Sequence, residues 1–249
     1  DLEEAQKEHD AFVGILEAEG VEVYYHNEPQ TGRADAIFTY DPAIVTEKGA
    51  IIMRMGKQLR RGEEESIAAR LEELDIPVFY KIRGSATAEG GDCLWLDHDT
   101  LAVGQGFRTN PEGLRQLKET LAELDVKIIP VSLPYFGGPE ACLHLMSLIS
   151  LVDHDLAVAY PRLISVPFWG LLRDRGIELI EVTEAEFETM GTNVLTLAPQ
   201  VCLMLEGNPV TEGALREVGC RVLTYKGSEI SLKTEGGLTC LTRPILREA

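Results

Sequence analysis

The hydrophobic and polar positions of the chain follow a unit that recurs along the sequence. Each copy begins with two short apolar strands joined by a turn, continues with a polar stretch that opens a helix, and ends with a third apolar strand. Four copies are predicted in full. In the first copy the two strands, the helix and the third strand cover 36–45, 50–55, 62–74 and 78–80, and in the second they cover 91–96, 100–104, 110 onward and 127–131. In the third copy they cover 148–152, 156–160, 167–175 and 178–182. In the fourth they cover 193–197, 201–205, 211–218 and 221–225.

The boundaries of several helices are marked by single residues. Asn110 followed by Pro111 predicts a helix start, because asparagine is a good N-cap and proline is tolerated at the first helical position. Gly176 and Gly219 each separate a predicted helix from an apolar strand, as a left-handed C-cap requires. Gly20 occupies the same place after the first helix of the chain.

The two ends of the chain carry parts of a further copy. A helix over 2–18 and a strand over 21–25 open the sequence, and a strand over 238–246 closes it. Joining these ends would complete a fifth copy and close a ring, which removes exposed sheet edges. The fifth copy lacks a second strand, so we expect one before Asp1 in the natural chain. We therefore predict a single α/β domain over 1–249, with an ordinary α/β sandwich as the alternative.

Composition and charge narrow the classes of function. The chain has 23 Lys and Arg against 41 Asp and Glu, a formal net charge of −18. Such a field repels phosphate backbones and argues against nucleic-acid binding; it would attract a small cation, although a role in solubility explains the same charge. No apolar run approaches the roughly 20 residues that span a bilayer. The acidic start shows no signal peptide, so we expect a cytoplasmic protein that binds no membrane.

The cysteines indicate a reducing compartment. They are odd in number and contain no CxxC pair, which argues against a disulfide framework or a zinc ribbon. Four of them lie in apolar runs and are expected to be small core residues, whereas the fifth follows a glycine-containing loop. The five are Cys93, Cys142, Cys202, Cys220 and Cys240.

Polar residues at the starts of several copies could meet at the centre of a ring. They are Asp41, Glu89, Asp92, His144 and Cys240. Cysteine is a strong nucleophile as a thiolate, histidine can transfer protons near neutral pH, and a carboxylate can orient the histidine. Together they form a candidate catalytic Cys–His–acid set.

Each of these residues also has an ordinary structural explanation. A cysteine in an apolar strand is usually a core residue, and a histidine within an apolar stretch is usually a hydrogen-bonded core residue. The Asp41–Pro42 pair could be a turn, and the Glu89–Asp92 segment a bend. Only their joint placement favours catalysis.

The chain resembles the pentein superfamily of guanidino-modifying enzymes, which includes arginine deiminase, dimethylarginine dimethylaminohydrolase, arginine dihydrolase and amidinotransferases. The matching segments cover most of the chain in the family's order. They are residues 38–42, 60–63, 89–92, 104–110, 142–145 and 236–243. The resemblance implies a five-bladed ββαβ propeller, in agreement with the repeat.

The resemblance also implies roles for the candidate residues. Cys240 would attack the guanidinium carbon and form a covalent thiouronium intermediate. His144 would protonate the departing nitrogen and then activate water, and Glu89 would orient it. Asp41 is expected to bind the guanidinium nitrogens, and Asp92 is expected to contribute to substrate binding.

Two arginines complete the implied site. Arg60 and Arg108 resemble the residues that hold the α-carboxylate of the substrate, a task that suits a planar guanidinium. No metal or organic cofactor is implied. The expected partner is a small guanidino compound, and the oligomeric state stays open, a homo-oligomer included.

Two positions bear on the branch of the family. Arginine deiminases carry an acidic residue two positions after the catalytic histidine, where this chain has Met146. The dihydrolase type is associated with Asn at the place of Asp41, so aspartate favours a single hydrolysis that ends at citrulline. The alternatives are an arginine dihydrolase, an amidinotransferase and a non-catalytic binding module.

Overall fold

The structure is a computed structural model that describes residues 1–141 and 143–246. Within these residues, twelve strands form four three-stranded sheets accompanied by helices, which makes the fold α/β. The helices are α1 Leu2–Ala18, α2 Glu63–Glu73, α3 Pro111–Ala122, α4 Val166–Asp174, α5 Glu184–Phe187 and α6 Pro209–Glu217. The strands are β1 Ala43–Thr46, β2 Gly49–Ile52, β3 Val78–Lys81, β4 Cys93–Trp95, β5 Thr100–Gln105, β6 Lys127–Ser132, β7 Ile149–Asp153, β8 Leu156–Ala159, β9 Glu178–Glu181, β10 Leu195–Ala198, β11 Val201–Leu205 and β12 Arg221–Tyr225.

The four sheets share one topology. In each, the first two strands pair antiparallel and the third pairs parallel to the second, so the second strand lies in the middle. A helix lies between the second and third strand of every sheet, as the parallel connection requires. The four ββαβ copies predicted from the sequence are therefore confirmed.

The helix boundaries agree with the residues that predicted them. The Asn110 side chain accepts a 2.8 Å hydrogen bond from the amide of Gly113, and Pro111 is the first residue of α3. Gly20, Gly176 and Gly219 have φ angles of +81°, +74° and +96°, the left-handed conformation expected after a helix.

The chain divides into two compact units. The first unit comprises residues 1–25 and 146–239, and the second comprises 26–145 and 240–249. The first contains the sheets β7–β8–β9 and β10–β11–β12, whose apolar faces bury residues such as Val158 and Met204. The second contains β1–β2–β3 and β4–β5–β6, with a core that includes Ile51, Leu101 and Leu117.

Two of the predicted strands are wrong: those at the two ends of the chain. Residues 21–25 form no strand, and Tyr24 and Tyr25 are exposed there. Residues 238–246 form turns and irregular backbone, where Pro244 lacks the amide hydrogen that a ladder needs.

The first predicted strand of the repeat begins later than expected. A 3₁₀ helix occupies Ala34–Ile37, and β1 starts only at Ala43 because Pro42 cannot donate to a ladder. No helix within the described residues has the length and hydropathy required to cross a bilayer.

Candidate active site

All seven candidate site residues belong to the second unit. Six of them are at most 4% exposed, and the seventh, Cys240, is half-buried. The six are Asp41, Arg60, Glu89, Asp92, Arg108 and His144. Buried ionisable groups are costly unless they are paired, so their contacts indicate what each one does.

The centre of the site is a histidine–carboxylate pair. His144 Nε2 lies 2.7 Å from Glu89 Oε2, and both side chains are buried. The residues are 55 positions apart in the sequence. A buried carboxylate at this distance fixes the orientation of the imidazole ring and stabilises its protonated form.

Backbone amides and cations keep Glu89 ionised. Its Oε1 accepts hydrogen bonds from the amides of Gly56 at 2.7 Å and Lys57 at 3.2 Å. Burial alone would raise the pKa of Glu89, but the His144 hydrogen bond and the charges of His144 and Arg108 lower this pKa to about 2. Glu89 can therefore act as a permanent anion behind the histidine.

Asp41 approaches the other side of the imidazole. Its Oδ1 lies 4.0 Å from His144 Nδ1 and accepts a 2.9 Å hydrogen bond from the amide of Gly91. A Cβ atom on Gly91 would lie 2.6 Å from His144 Nδ1 and 2.8 Å from Asp41 Oδ1. Gly91 is thus required for the side chains of His144 and Asp41 to approach each other.

Arg60 lies in a buried network of protein acceptors. Its Nη1 donates to Asp41 Oδ2 at 2.5 Å, and its Nε and Nη2 donate to the carboxylate of Glu63 at 2.7–3.1 Å. Nη2 also donates to the carbonyl of Phe38 at 3.1 Å. Burial opposes the charged form, yet the two carboxylates raise the pKa of Arg60 above its usual value. Each nitrogen of this guanidinium thus already donates to a protein acceptor.

Arg108 is less completely paired. Its Nη1 lies 3.7 Å from Glu89 Oε2, and its Nη2 donates to the carbonyl of Ala141 at 3.3 Å. Its Nε is buried and has no hydrogen-bond partner in the part of the chain that the structure describes. Arg108 therefore retains a donor for a ligand.

Asp92 makes its contacts within the protein. Its Oδ2 accepts from the Thr109 hydroxyl at 2.6 Å, and its Oδ1 accepts from the amide of Leu145, next to His144, at 3.1 Å. Burial raises the pKa of Asp92 to about 6, although the charge of His144 and these hydrogen bonds oppose the change.

Cys240 is held beside the Asp41 segment through its backbone. Its carbonyl accepts a 3.2 Å hydrogen bond from the amide of Tyr40, and the carbonyl of Leu241 accepts from the Thr39 hydroxyl at 3.3 Å. The guanidinium of Arg243 stacks on the Tyr40 ring, 3.6 Å from its centroid. The segment that carries the thiol is thus fixed one residue from Asp41.

The cysteines differ in burial as the sequence indicated. Cys93, Cys202 and Cys220 are buried, and burial raises the pKa of each thiol. Of the cysteines that the structure describes, Cys240 alone is half-buried. Cys142, which was expected to be a core residue, lies outside the described residues.

Sequence reasoning missed several supporting groups. Glu63 holds Arg60, Thr109 links Asp92 to the backbone amide of Glu89, and the amides of Gly56 and Lys57 hold the Glu89 carboxylate. Glu63 lies three residues after Arg60 in the matched segment 60–63, which was a usable signal. Backbone amides give no signal in the sequence because every residue has one.

Three groups of the site also have the spacing of metal ligands. One ligand atom from each of Asp41, Glu89 and His144 lies within 4.8 Å of the others. However, Glu89 Oε1 is held by two amides and Oε2 by His144, so a metal ion would have to replace the histidine hydrogen bond. The contacts suit proton transfer better, and the expected absence of a metal stays a prediction.

Comparison with known proteins identifies relatives along nearly the whole chain. A family model described as N,N dimethylarginine dimethylhydrolase, eukaryotic, matches residues 1–247. An uncharacterized protein, YkgA, of Bacillus subtilis is 31% identical over 98% of this chain and 80% of its own length. The N(G),N(G)-dimethylarginine dimethylaminohydrolase of Pseudomonas aeruginosa is 28% identical over 97% of this chain and 89% of its own.

Solved structures agree with these relatives. A mutant of the P. aeruginosa enzyme in complex with citrulline has a TM-score of 0.81 at 26% identity, covering 97% of this chain and 88% of that one. The product-bound N-terminal domain of ArgZ, a cyanobacterial arginine dihydrolase, has a TM-score of 0.84 at 22% identity, covering 99% and 89%. At that identity the second likeness concerns the fold.

Proposed function

This chain belongs to the N,N-dimethylarginine dimethylhydrolase family, and we propose that it hydrolyses the guanidinium group of arginine or an Nω-substituted arginine to citrulline, with release of ammonia or an amine. The observation that carries the proposal is the buried Glu89–His144 pair, with Asp41 on the other side of the ring and the Cys240 segment bonded to Tyr40. Relatives named N(G),N(G)-dimethylarginine dimethylaminohydrolase and arginine deiminase support the same reaction class.

The proposed reaction has two covalent steps. The Cys240 thiolate attacks the guanidinium carbon, and the bond from carbon to the leaving nitrogen breaks as His144 gives that nitrogen a proton. The neutral imidazole then takes a proton from water, whose oxygen attacks the same carbon and expels the thiolate. The carbon leaves as the urea group of citrulline once the second proton of that water passes to solvent, and the proton that His144 gained restores its starting state.

The carboxylates assist both steps. Ionised Glu89 stabilises the protonated imidazole and holds the ring in place. Asp41 accepts hydrogen bonds from the guanidinium nitrogens, because its carboxylate lies on the side of the His144 ring away from Glu89. A cationic substrate beside Cys240 would favour the thiolate over the thiol.

Two residues receive revised roles. Arg60 is assigned to hold Asp41, because its hydrogen bonds go to Asp41, Glu63 and two backbone carbonyls. Asp92 is assigned to position the His144 segment through the amide of Leu145. Arg108, with its unpaired Nε, is the better candidate for the α-carboxylate of the substrate.

The same proposal extends to the finer description of the fold. We assign the four ββαβ sheets to four blades of the five-bladed propeller of the superfamily and treat 1–249 as one catalytic domain. The common topology of the sheets and a family match over 1–247 support these assignments. A cytoplasmic location is supported by the cysteine pattern of the sequence.

A substrate panel with quantified products tests the reaction. Arginine, mono- and dimethylarginine, agmatine and guanidino acids are each incubated with the protein, and citrulline, ornithine, ammonia and amine are measured. Arginine and its methylated forms are expected to give one citrulline per ammonia or amine, and agmatine and guanidino acids one of the corresponding ureido compounds. Ornithine with two ammonia per turnover would establish a dihydrolase instead, and ornithine formed only with an acceptor amine would establish a transferase.

A further inference from the structure

A cavity lined by cationic side chains lies within the second unit. It has a volume of about 500 Å³, within the usual range for small-molecule sites. Four cations line it, together with Gln58, Glu64 and Glu65. The cations are Arg54, Arg61, Lys81 and Arg83. Such a cluster is unexpected in a chain with a formal net charge of −18.

The four cations outnumber the two carboxylates of the cavity lining, Glu64 and Glu65. None of the four cations forms an ion pair with any residue that the structure describes. The nearest buried acid, Glu64, accepts from the backbone amides of Met55 at 2.8 Å and Gly62 at 2.6 Å, one with each oxygen. Its carboxylate is therefore bound to the backbone.

Arg54 and Arg61, the two half-buried arginines of the cavity, use only some of their hydrogen-bond donors. Arg54 Nη1 donates to the carbonyl of Ala86 at 3.1 Å. Arg61 Nε is buried and has no partner among residues 1–141 and 143–246. Burial and the charge of Arg54 lower the pKa of Arg61, and the charges of Glu64, Glu89 and Glu65 offset them only in part.

We propose that this cavity binds a small polyanion with two phosphate or carboxylate groups. The arginine side chains suit such a ligand because a planar guanidinium can bind either group through two parallel hydrogen bonds. Lys81 and Arg83 supply additional positive charge from the exposed rim. The site differs from the catalytic centre, whose carboxylates suit a cation.

One segment connects the cavity to the catalytic groups. Arg54, Gln58 and Arg61 line the cavity, whereas the intervening amides of Gly56 and Lys57 hold Glu89. An anion that restrains the three cavity residues would also restrain the loop that positions Glu89. Anion binding should therefore change kcat more than KM, since Glu89 acts in the chemical steps of the proposed reaction.

Direct binding measurements test the site without relying on enzymatic activity. Pyrophosphate and citrate are titrated into the protein by calorimetry at constant ionic strength, with and without saturating citrulline. We expect one bound anion per chain, retained when citrulline is present. Tighter binding of pyrophosphate would identify a phosphate ligand, and tighter binding of citrate a carboxylate ligand.

Two double variants, each lacking two cations, test whether the anion binds in the cavity or is attracted by positive charge anywhere on the surface. Lys81→Gln/Arg83→Gln removes two exposed cations of the cavity, and Lys118→Gln/Lys127→Gln removes two exposed cations elsewhere in the same unit. The first variant should weaken the Kd at least tenfold and leave activity without anion unchanged, while the second should change the Kd less than twofold. The single variant Lys81→Gln is measured as well, and thermal melting confirms folding.

Several outcomes would overturn the proposal. They are no binding of either anion, equal weakening in the two double variants, or loss of binding when citrulline is added. None of them bears on citrulline formation from the substrate panel, so the anion site and the proposed reaction can fail separately.

Discussion

At the scale of single residues, the thiol of Cys240 is the group on which the proposed reaction depends. Replacing it by alanine removes the nucleophile from a half-buried position, so the chemistry should suffer and the fold should not. We expect citrulline formation by Cys240→Ala to fall by about 10³-fold or more, with little change in unfolding free energy. Product assays and urea unfolding on the same preparation check this, and wild-type rates in the variant would refute the assignment.

The buried Arg60 should contribute to stability far more than an exposed arginine with similar partners. Arg60→Met would leave Asp41 and Glu63 without their counter-ion, and breaking such a buried pair costs about 3–5 kcal/mol. Arg115 also pairs with two carboxylates, but on the surface of α3, so Arg115→Met should cost less than about 1 kcal/mol. Chemical denaturation compares the two variants, and similar losses would show that the Arg60 network is not structural.

Asp92 should make stability depend on pH in the sense opposite to most acids. Its folded pKa of about 6 lies above the ordinary 3.8, so the folded state binds the proton more tightly. For this group, stability is therefore lowest above pH 6 and increases as the pH falls towards 4, by on the order of 2–3 kcal/mol.

The Asp92→Asn variant isolates this contribution. The difference in unfolding free energy between wild type and variant, measured from pH 8 to pH 4, should shift in favour of the wild type as the pH falls. A difference that does not vary with pH would show that Asp92 titrates normally.

Not every residue of the site could be placed from the sequence. The repeat predicted that Glu89 and His144 lie near a common centre, because both lie at equivalent points of two copies, and the family resemblance implied that Glu89 orients His144. The involvement of Arg60 with Asp41 could not be predicted, since an arginine is equally suited to a substrate carboxylate and to a protein carboxylate. Only the distances distinguish the two.

At the scale of elements, the Glu-Gly-Gly-Asp turn before β4 leaves the space in which the side chains of His144 and Asp41 approach each other. Gly91→Ala would place a methyl group 2.6 Å from His144 Nδ1, so the imidazole or Asp41 must move. We expect kcat/KM to fall by about 10²-fold, as displacements near 1 Å can cause.

A second glycine provides the control for this variant. Gly170→Ala, in α4, adds a methyl group with no atom within 4 Å. It should leave kcat/KM unchanged and stabilise the protein by about 0.5–1 kcal/mol, because alanine favours a helix. Steady-state kinetics and thermal melting test both, and a fully active Gly91→Ala would show that this space is not required.

The elements show where periodicity is informative and where it fails. All twelve strands of the four repeated sheets were anticipated, because alternation and turn residues are local signals. The strands expected over 21–25 and 238–246 were not found, since an apolar stretch becomes a strand only when a partner strand lies beside it. Sequence periodicity does not contain that information.

At the scale of the whole molecule, the net charge should influence how fast a substrate arrives. Arginine carries one net positive charge near neutral pH, and a field of −18 charges attracts it over distances that salt shortens. We expect kcat/KM for arginine to fall by about twofold to tenfold between 20 mM and 500 mM NaCl, with kcat nearly constant.

Agmatine and citrulline serve as the two comparison molecules for that measurement. Agmatine lacks the carboxylate and carries two positive charges, so its kcat/KM should fall more steeply if it is turned over. The affinity for citrulline, which has no net charge, should change little. Equal salt dependence for charged and neutral molecules would mean that the charge serves solubility alone.

The second unit is discontinuous in sequence, built from residues 26–145 and 240–249. Translation therefore completes the segment with Asp41, Glu89 and His144 long before it reaches Cys240. A ribosome must add nearly one hundred further residues after His144 before it reaches Cys240, so a chain that stops between the two holds the proposed acid–base pair without the proposed nucleophile. By the proposed mechanism such a nascent chain is inactive, and it can gain activity only after Cys240 has been added.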